Sequence, residues 1–197
     1  MFDRNILKYL GQWKDKPDRK PLVLRGGRQV GKTSAVLMFG KKHFARVLHI
    51  NLENVEHSRL FKENISLDEF KDIARIKLSQ SITPGQTLVF LDEIQNAPSL
   101  IKLLRFFYEQ MPDLHVIASG SLLDVIIDRE GFSFPVGRVE FAYMYPLDFF
   151  EFLGARKEMG LLDYLKNSSP GNKIPDALHE DDLKKFQEDV SKAKKPN

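Results

Sequence analysis

The sequence predicts an α/β fold in three layers, with a mostly parallel sheet of five strands between two layers of helices. Short apolar runs alternate with longer amphipathic segments along the chain, and the runs end at polar residues or glycines. Runs that are apolar throughout are typical of strands buried on both faces. Strands that alternate with helices need crossover connections, and these favour parallel pairing with helices on both faces of the sheet.

Five segments fit the strands and four fit the helices. The strand segments cover residues 21–25, 46–52, 87–93, 114–121 and 139–147. The helix segments cover residues 32–43, 66–82, 99–110 and 147–160. Each of the first three helix segments joins two consecutive strand segments, which is the arrangement that crossover helices have.

Two serines mark predicted helix starts. Ser66 precedes the second helix segment and is followed three residues later by Glu69, which is the pattern of a capping box. Ser99 could cap the third helix. Four apolar residues of that third helix share one face and predict a buried stripe: Leu100, Leu103, Leu104 and Phe107.

The composition is that of an ordinary globular protein, and it excludes several kinds of site. The 197 residues suit one domain, and no apolar run reaches the roughly 18 residues that a membrane span needs. The absence of cysteine excludes disulfides and thiolate chemistry, and the five histidines are too scattered for a helical metal site. The net charge of +3 is too small to predict nucleic-acid binding by itself. Since no secretory signal is visible, we expect a cytoplasmic protein without a membrane contact.

Residues 1–166 are predicted to form the core domain. From about Asn167 the sequence becomes rich in Ser, Pro, Gly and Asn, and a charged segment with a helical pattern follows. This change of composition predicts a linker and a charged helical tail over residues 167–197.

The stretch "LRGGRQVGKTSAV" connects the first strand segment to the first helix segment. Its residues match the pattern G-x-x-x-x-G-K-[ST] in the strand-to-helix context that this pattern requires. Glycines permit a sharp turn and a close approach of the backbone to a phosphate, and the loop amides and the helix N-terminus would bind phosphate groups. The predicted nucleotide-binding residues are Gly26, Gly27, Arg28, Gln29, Val30, Gly31, Lys32, Thr33 and Ser34.

Two carboxylates at the end of the third strand segment complete the predicted site. Lys32 would contact the β- and γ-phosphates of ATP, while the Thr33 hydroxyl and Asp92 would bind Mg²⁺. Glu93 is placed to accept a hydrogen bond from a water and direct it at the γ-phosphorus, which indicates hydrolysis and not binding alone. The chain lacks the Asn-Lys-x-Asp run by which GTPases usually read guanine, so ATP is favoured over GTP.

Three further polar residues each have a functional and an ordinary interpretation. Ser119 and Ser121 end the fourth strand segment and could sense the γ-phosphate, or could belong to a simple turn around Gly120. Arg138 lies before the fifth strand segment. It could reach a phosphate in its own subunit or in a neighbouring one, or it could be a surface arginine.

Five stretches of the chain occur together in the order and spacing of a known family. They are "LRGGRQVGKTS", "INLEN", "LVFLDEIQNAPSLIKLLRFFYE", "VIASGSLL" and "GRVEFAYMYPLDFFEFL". Over roughly residues 1–160 the chain thus resembles an AAA-type ATPase family of bacteria and archaea. The resemblance implies an ATP-binding AAA-like core with the roles given above for four residues: Lys32, Thr33, Asp92 and Glu93. Gln95 matches the glutamine of the family's "DEIQ" motif, and Arg138 matches the arginine of its "GR" motif.

The chain departs from that family in two ways. The family commonly has Pro at the position of Gly27, a change that should alter the stiffness of the loop more than its phosphate contacts. Its members usually continue into a C-terminal domain of unknown function that resembles restriction endonucleases, whereas this chain ends at Asn197. We therefore expect residues 167–197 to be the start of a missing C-terminal region.

Three functions are compatible with these residues. The leading hypothesis is Mg²⁺-dependent hydrolysis of ATP that drives a conformational change in a missing C-terminal part or in a protein partner. The second is a nucleotide-binding switch that binds ATP and ADP with little turnover. The third is a DNA-associated ATPase, which follows only from the nuclease-like domain of the family and a mildly basic pI. A homo-oligomer would follow if Arg138 acted on a neighbouring subunit.

Overall fold

The computed structural model describes residues 4–61, 64–121, 123, 134–168 and 184. Its contacts divide the chain into two units, Met1–Arg156 and Lys157–Asn197. The predicted linker and tail, residues 167–197, lie outside the described residues except at positions 167, 168 and 184. The predicted domain boundary therefore stays a prediction.

A parallel sheet of five strands forms the basis of the first unit. The strands are β1 (Leu22–Arg25), β2 (Arg46–Asn51), β3 (Thr87–Asp92), β4 (His115–Ser119) and β5 (Glu140–Tyr143). Their order in the sheet is β2-β3-β4-β1-β5, and every described pairing is parallel. One strand, β4, thus separates β1, which leads into the glycine-rich loop, from β3, which ends in Asp92. The predicted α/β class with a five-stranded parallel sheet is confirmed.

Helices cover both faces of this sheet. The helices described in the first unit are α1 (Asn5–Lys14), α2 (Lys32–His43), α3 (Val55–Leu60), α4 (Leu67–Ile76), α5 (Pro98–Gln110) and α6 (Phe149–Ala155). The second unit contains α7 (Met159–Asn167). None of the helices in the described part of the chain is long and apolar enough to cross a membrane.

Two buried clusters lie on opposite faces of the sheet, as the alternation of side chains along β1 shows. Val23 belongs to the cluster that contains the apolar residues of α4 and α5. Its neighbours Leu22 and Leu24 belong to the cluster formed with α1 and α2. Successive residues of a strand point to opposite faces, so α4 and α5 cover one face of the sheet and α1 and α2 cover the other.

The start of α4 was predicted correctly and its end was not. The Ser66 side chain accepts a hydrogen bond from the Glu69 amide at 3.2 Å, and the Glu69 carboxylate accepts one from the Ser66 amide at 2.9 Å, which confirms the capping box. The helix ends at Ile76 and not at residue 82. Ser79 adopts a φ of 53°, and a residue in this left-handed region ends a right-handed helix.

The prediction that Ser99 caps α5 was wrong. The helix begins at Pro98, Ala97 occupies the N-cap position, and Ser99 is buried inside the first turn. Proline favours the first helical position because its fixed φ fits the helix and it has no N–H to satisfy. The predicted apolar face of this helix is confirmed, with four side chains at most 1% exposed: Leu100, Leu103, Leu104 and Phe107.

His115 at the start of β4 is enclosed by aromatic side chains. Its ring makes edge contacts with Trp13 of α1 and with Phe44, at centroid distances of 5.8 Å and 4.7 Å. Its Nε2 lies 3.3 Å from the carbonyl oxygen of Lys14. The residue is 7% exposed, and burial lowers the pKa of His115 from 6.5 to about 4. The folded protein therefore holds this side chain in its neutral form.

This burial predicts a loss of stability in mild acid. Between pH 6.5 and about 4 the unfolded state binds a proton at His115 that the folded state does not, so the free energy of unfolding falls as the pH decreases. We expect a loss of about 2 kcal/mol between pH 7.5 and pH 5, measured by urea unfolding. His115→Phe should remove most of this loss. The exposed His43 is unchanged in this variant, so the difference from the wild type reports on His115. An equal loss in the variant would contradict the assignment to His115.

Candidate nucleotide-binding site

The loop between β1 and α2 turns sharply against the end of β5. Gly26 has a φ of 144°, and a Cβ atom at this position would lie 2.2 Å from the carbonyl oxygen of Met144. Gly31 at the start of α2 has a φ of 94°. Both values lie in a region that side chains of L-residues rarely adopt. The shape of the loop therefore depends on these two glycines.

Lys32 is the first residue of α2, and its side chain folds back over the loop. The Nζ atom donates hydrogen bonds to the carbonyl oxygens of Gly26 and Gly27, at 3.0 Å and 2.7 Å. The residue is only 5% exposed. Burial lowers the pKa of Lys32 below its ordinary value, and the nearby carboxylates of Glu93 and Asp92 oppose this effect. A buried ammonium group at the start of a helix is therefore available to an anion that replaces the two carbonyl groups.

Asp92 at the end of β3 is the centre of a hydrogen-bonded cluster. Its Oδ2 accepts a hydrogen bond from the Thr33 hydroxyl at 2.8 Å and lies 3.4 Å from Nε2 of His49. Its Oδ1 accepts a short hydrogen bond from the Ser119 hydroxyl. Asp92 is 3% exposed. Burial raises its pKa, but the hydrogen bonds from the three neighbours outweigh burial, so the pKa of Asp92 lies below its ordinary value.

Glu93 follows β3 directly and has an unusual backbone conformation. Its φ of 54° and ψ of 52° lie in the left-handed region, which is uncommon for residues other than glycine. Its Oε2 accepts hydrogen bonds from Nε2 of Gln95 at 2.6 Å and from the hydroxyl of Ser121 at 3.0 Å. The Ser121 amide donates to the same oxygen at 3.2 Å. The carboxylate is thus linked to the segment that follows β4.

Ser119 at the end of β4 and Ser121 just after it contact different carboxylates. Ser119 is fully buried and bonds to Asp92, whereas Ser121 bonds to Glu93. Gly120 between them lies close to Gln95, since a Cβ atom at Gly120 would lie 2.5 Å from the amide oxygen Oε1. The segment is therefore a strand-ending turn that also contacts both acids. That either serine senses a γ-phosphate stays a prediction.

Arg138 is not brought to the loop within its own chain. It lies before the amino end of β5, and β5 runs parallel to β1 with Glu140 opposite Leu22. The loop follows the carboxyl end of β1, so the length of the strands separates it from Arg138. The Arg138 side chain instead pairs with Glu109 of α5, with Nε 2.8 Å from Oε1. Its action on a neighbouring subunit stays a prediction.

Two cavities border the loop. One has a volume of about 470 Å³, and its lining includes Arg4, Val30, Ser34, Met38, Met144 and Pro146. The other has a volume of about 720 Å³, and its lining includes Arg28, Gln29, Leu52, Ser58, Glu93 and Ser121. The first is lined largely by apolar side chains and the second by polar ones. The loop therefore separates a surface suited to an aromatic ring from one suited to charged groups.

Arg4 contacts the loop, although no motif in the sequence marked it as a site residue. Its guanidinium donates to the carbonyl oxygen of Val30 at 3.0 Å and to that of Tyr145 at 2.7 Å. Its Nε lies 3.1 Å from the Glu151 carboxylate, which also caps α6. These contacts join residues 26 and 141 positions apart along the chain, and no local pattern indicates such a pair. Arg4 therefore links the loop to α6.

Two further site residues had only weak signals in the sequence. His49 on β2 stacks on the ring of Phe90 at a centroid distance of 4.9 Å, and this contact holds its Nε2 near Asp92. The position of β2 beside β3 could have indicated it, because parallel strands bring corresponding residues together. Gln95 was marked only by the "DEIQ" motif, and in the structure its side chain donates a hydrogen bond to Glu93.

Solved structures share this fold. The Walker-type ATPase PABY2304 of Pyrococcus abyssi matches with a TM-score of 0.51 and 21% identity, over 86% of this chain and 60% of that chain. PCH-2 of C. elegans matches with a TM-score of 0.50 and 14% identity, over 89% of this chain and 52% of that chain. At these identities the likeness concerns the fold alone. The chain covers less than two thirds of the length of either protein.

Sequence families give a more specific assignment. No curated protein matches the chain. The family model described as an AAA domain matches residues 18–153, which include the glycine-rich loop, both acids and all five strands. The match covers more than half of the chain and agrees with the strand order and the geometry of the loop. The chain therefore belongs to the AAA domain family of P-loop ATPases.

Proposed function

We propose that this chain binds ATP with Mg²⁺ and hydrolyses it, and that the nucleotide state changes the conformation of a neighbouring segment or partner. The observation that carries the proposal is the direct hydrogen bond between Thr33, in the first turn of α2, and Asp92 of β3. It joins the helix that follows the glycine-rich loop to the carboxyl end of β3, which β4 separates from β1 in the sheet. Lys32 and Glu93 lie beside this bond, so cationic and acidic groups are brought together at one edge.

Phosphate binding is supported by the state of Lys32. Its buried ammonium group interacts with two neutral carbonyl groups and with two carboxylates that do not form an ion pair with it at contact distance. The anionic oxygens of a phosphate would be stronger acceptors than these carbonyl groups. The first turn of α2 carries no side-chain cap within the described residues, so its N–H groups are also available to a phosphate.

Mg²⁺ fits the oxygen atoms of Thr33 and Asp92. Both are hard ligands of the kind that Mg²⁺ prefers, and they are already in contact at 2.8 Å. A bound Mg²⁺ would neutralise charge that develops on the phosphate oxygens. His49 and Ser119 hold the Asp92 carboxylate in place, and Asp92 is ionised at neutral pH because these hydrogen bonds keep its pKa low.

ATP is proposed as the nucleotide because of the cavity beside α2. Its volume of about 470 Å³ and its apolar lining by Val30, Met38 and Met144 suit an adenine ring. The Arg4 side chain borders this cavity and bonds to Val30, so it stabilises the wall nearest the loop. The preference for ATP over GTP stays a prediction.

Hydrolysis is proposed because Glu93 borders the polar cavity on the other side of the loop. A carboxylate in this place can accept a hydrogen bond from a water molecule and orient it. Gln29, which also lines this cavity, has a positive φ of 61° in the loop. The role of Glu93 requires only that one carboxylate oxygen faces the water, while the other is held by Gln95 and Ser121.

Conformational coupling is supported by Arg4. The same guanidinium contacts Val30 in the loop and Glu151 at the first turn of α6. A shift of the loop on nucleotide binding would therefore change the position of α6. Phe149 and Phe150 of this helix are 38% and 44% exposed, and a protein partner that binds them would respond to the nucleotide state.

The test of this proposal is the release of phosphate from ATP. We expect the wild-type protein to release phosphate from ATP in the presence of Mg²⁺. This release should stop when EDTA removes the metal. Thr33→Ser keeps the hydroxyl and should retain activity, whereas Thr33→Val has nearly the same shape without it and should lose at least about tenfold. Equal activity of the two variants would contradict the role of the Thr33 hydroxyl. No phosphate release by the wild type would contradict hydrolysis itself.

A nucleotide-binding switch with little turnover is the second candidate. It is favoured by the position of Arg138, which is paired with Glu109 and separated from the loop. Hydrolysis would then require an arginine from a neighbouring subunit or a partner. Saturable binding of ATP and ADP by calorimetry, together with turnover that rises steeply with protein concentration, would identify this case. The DNA-associated function stays a prediction from the family resemblance and the mildly basic pI.

A further inference from the structure

Gln95 contacts Glu93 through a single short hydrogen bond. It lies in the one-turn 3-10 helix Ile94–Asn96 that directly follows Glu93. Its Nε2 donates to Oε2 of Glu93 at 2.6 Å, and both described donors of Ser121 reach the same oxygen. The hydrogen bonds that the described residues make to this carboxylate are therefore all accepted by Oε2. The other oxygen, Oε1, keeps its lone pairs for a different donor.

The contact fixes the orientation of the Gln95 amide. A rotation by 180° would place the amide oxygen where Nε2 lies, 2.6 Å from Oε2 of Glu93, and two acceptors would then face each other. In the observed orientation the amide oxygen is buried and has no hydrogen-bond partner among the described residues. A buried acceptor without a partner lowers the stability of the fold. An apolar side chain of similar length would avoid this loss but would also lose the hydrogen bond to Glu93, so the glutamine contributes little net stability at this position.

The turn after β4 leaves space for this amide. A Cβ atom at Gly120 would lie 2.5 Å from Oε1 of Gln95, closer than two such atoms can approach. Any other residue at position 120 would displace the amide or shift the turn. The amide thus fills a place between the turn and Glu93 that the absence of a side chain at Gly120 provides.

We propose that Gln95 is a positioning residue for Glu93. Its amide holds Oε2 and thereby leaves Oε1 to accept a hydrogen bond from water in the cavity of about 720 Å³ that both residues border. The inference rests on the proposed hydrolysis of ATP and assigns no contact between Gln95 and the nucleotide. It predicts that loss of the amide reduces the rate of the chemical step and leaves nucleotide binding and folding intact.

Gln95→Met tests this inference, because methionine has a similar length and no hydrogen-bonding amide. We expect kcat for phosphate release to fall by about tenfold, with KM changed by less than about twofold, since only the orientation of the water-activating group is altered. The thermal midpoint of the free protein should change little, because removal of the unpartnered buried oxygen offsets loss of the hydrogen bond to Glu93.

Asn96→Met is the control, because it changes the amide of the next residue, which is exposed, and it should leave kcat unchanged. Gln95→Ala is a second variant, with the same expected fall, in case the methionine does not fit beside Gly120.

A double-mutant cycle separates positioning from a general structural effect. In the Glu93→Gln background, Gln95→Met should cause no further loss in single-turnover measurements, because the group that it positions is already absent. The same fold-loss in both backgrounds would show that Gln95 acts independently of Glu93 and would overturn the inference. If the wild type hydrolyses ATP and Gln95→Met has the same kcat, the inference about Gln95 is overturned and the proposed hydrolysis is not. Absence of turnover in the wild type would overturn the proposed function and this inference together.

Discussion

Glu93→Gln is expected to lower the rate of phosphate release by at least about a hundredfold, the loss that removal of a general base commonly causes. The amide retains one oxygen that can accept the hydrogen bonds from Gln95 and Ser121 that Oε2 accepts in the wild type. The backbone conformation, with φ of 54°, should also be retained, since it does not depend on the charge of the side chain. The variant should therefore fold normally, bind ATP and fail to orient the attacking water.

Two measurements check this result. Phosphate release under saturating ATP and Mg²⁺ gives kcat, and calorimetric titration with ATP gives the affinity, which should stay within about threefold of the wild type. Glu53→Gln is the matched control, because Glu53 is another carboxylate that borders the same cavity. Its activity should equal that of the wild type. Equal turnover in Glu93→Gln would remove Glu93 from the mechanism, and equal losses in both variants would indicate a general effect of charge.

Lys32→Met is expected to halve the stabilisation that ATP gives to the wild type. At a concentration 100 times its dissociation constant, ATP should stabilise the wild type by about 2.7 kcal/mol, which corresponds to a rise of roughly 5 to 11 °C in the thermal midpoint. Loss of the ammonium contact with phosphate should weaken affinity by at least about tenfold, or about 1.4 kcal/mol. The shift at the same ATP concentration should therefore be about half as large.

The free Lys32→Met protein should unfold at nearly the wild-type temperature. Methionine retains the packing of the buried stem, and the lowered pKa of Lys32 shows that the folded state does not favour its charge. Lys41→Met on the exposed surface of the same helix is the control and should keep the full ATP-induced shift. A full shift in Lys32→Met would mean that the loop is a structural turn and does not bind phosphate.

The parts of the fold that the sequence predicted are those governed by local patterns. The helix over residues 32–43 was predicted with its observed bounds, because the glycine-rich loop and a charged last turn mark both ends. The contact of Thr33 with Asp92 follows from the parallel sheet, in which carboxyl ends of strands meet at one edge. Helix α1 was missed because its charged sequence buries only Leu10 and Trp13, too few residues for a clear period.

The parts of the site that were missed depend on contacts between distant segments. Arg4 reaches Val30 and Tyr145 across the first unit, and no local spacing encodes those contacts. The burial of Lys32 against the loop carbonyl groups was also not predicted from the sequence. The place of Arg138 could have been predicted from the sequence. Arg138 precedes β5 and the loop follows the parallel strand β1, so the two lie at opposite edges of the sheet.

The most direct test of the proposed ATP site is calorimetric titration of the wild-type chain with a non-hydrolysable ATP analogue in the presence of Mg²⁺. We expect saturable binding to one site, weaker binding when EDTA removes Mg²⁺, and at least about tenfold weaker binding to Lys32→Met. Because the analogue is not hydrolysed, this result does not depend on turnover. Absence of binding to the folded wild type, or equal binding to wild type and Lys32→Met, would contradict the assignment of the loop as a phosphate-binding site.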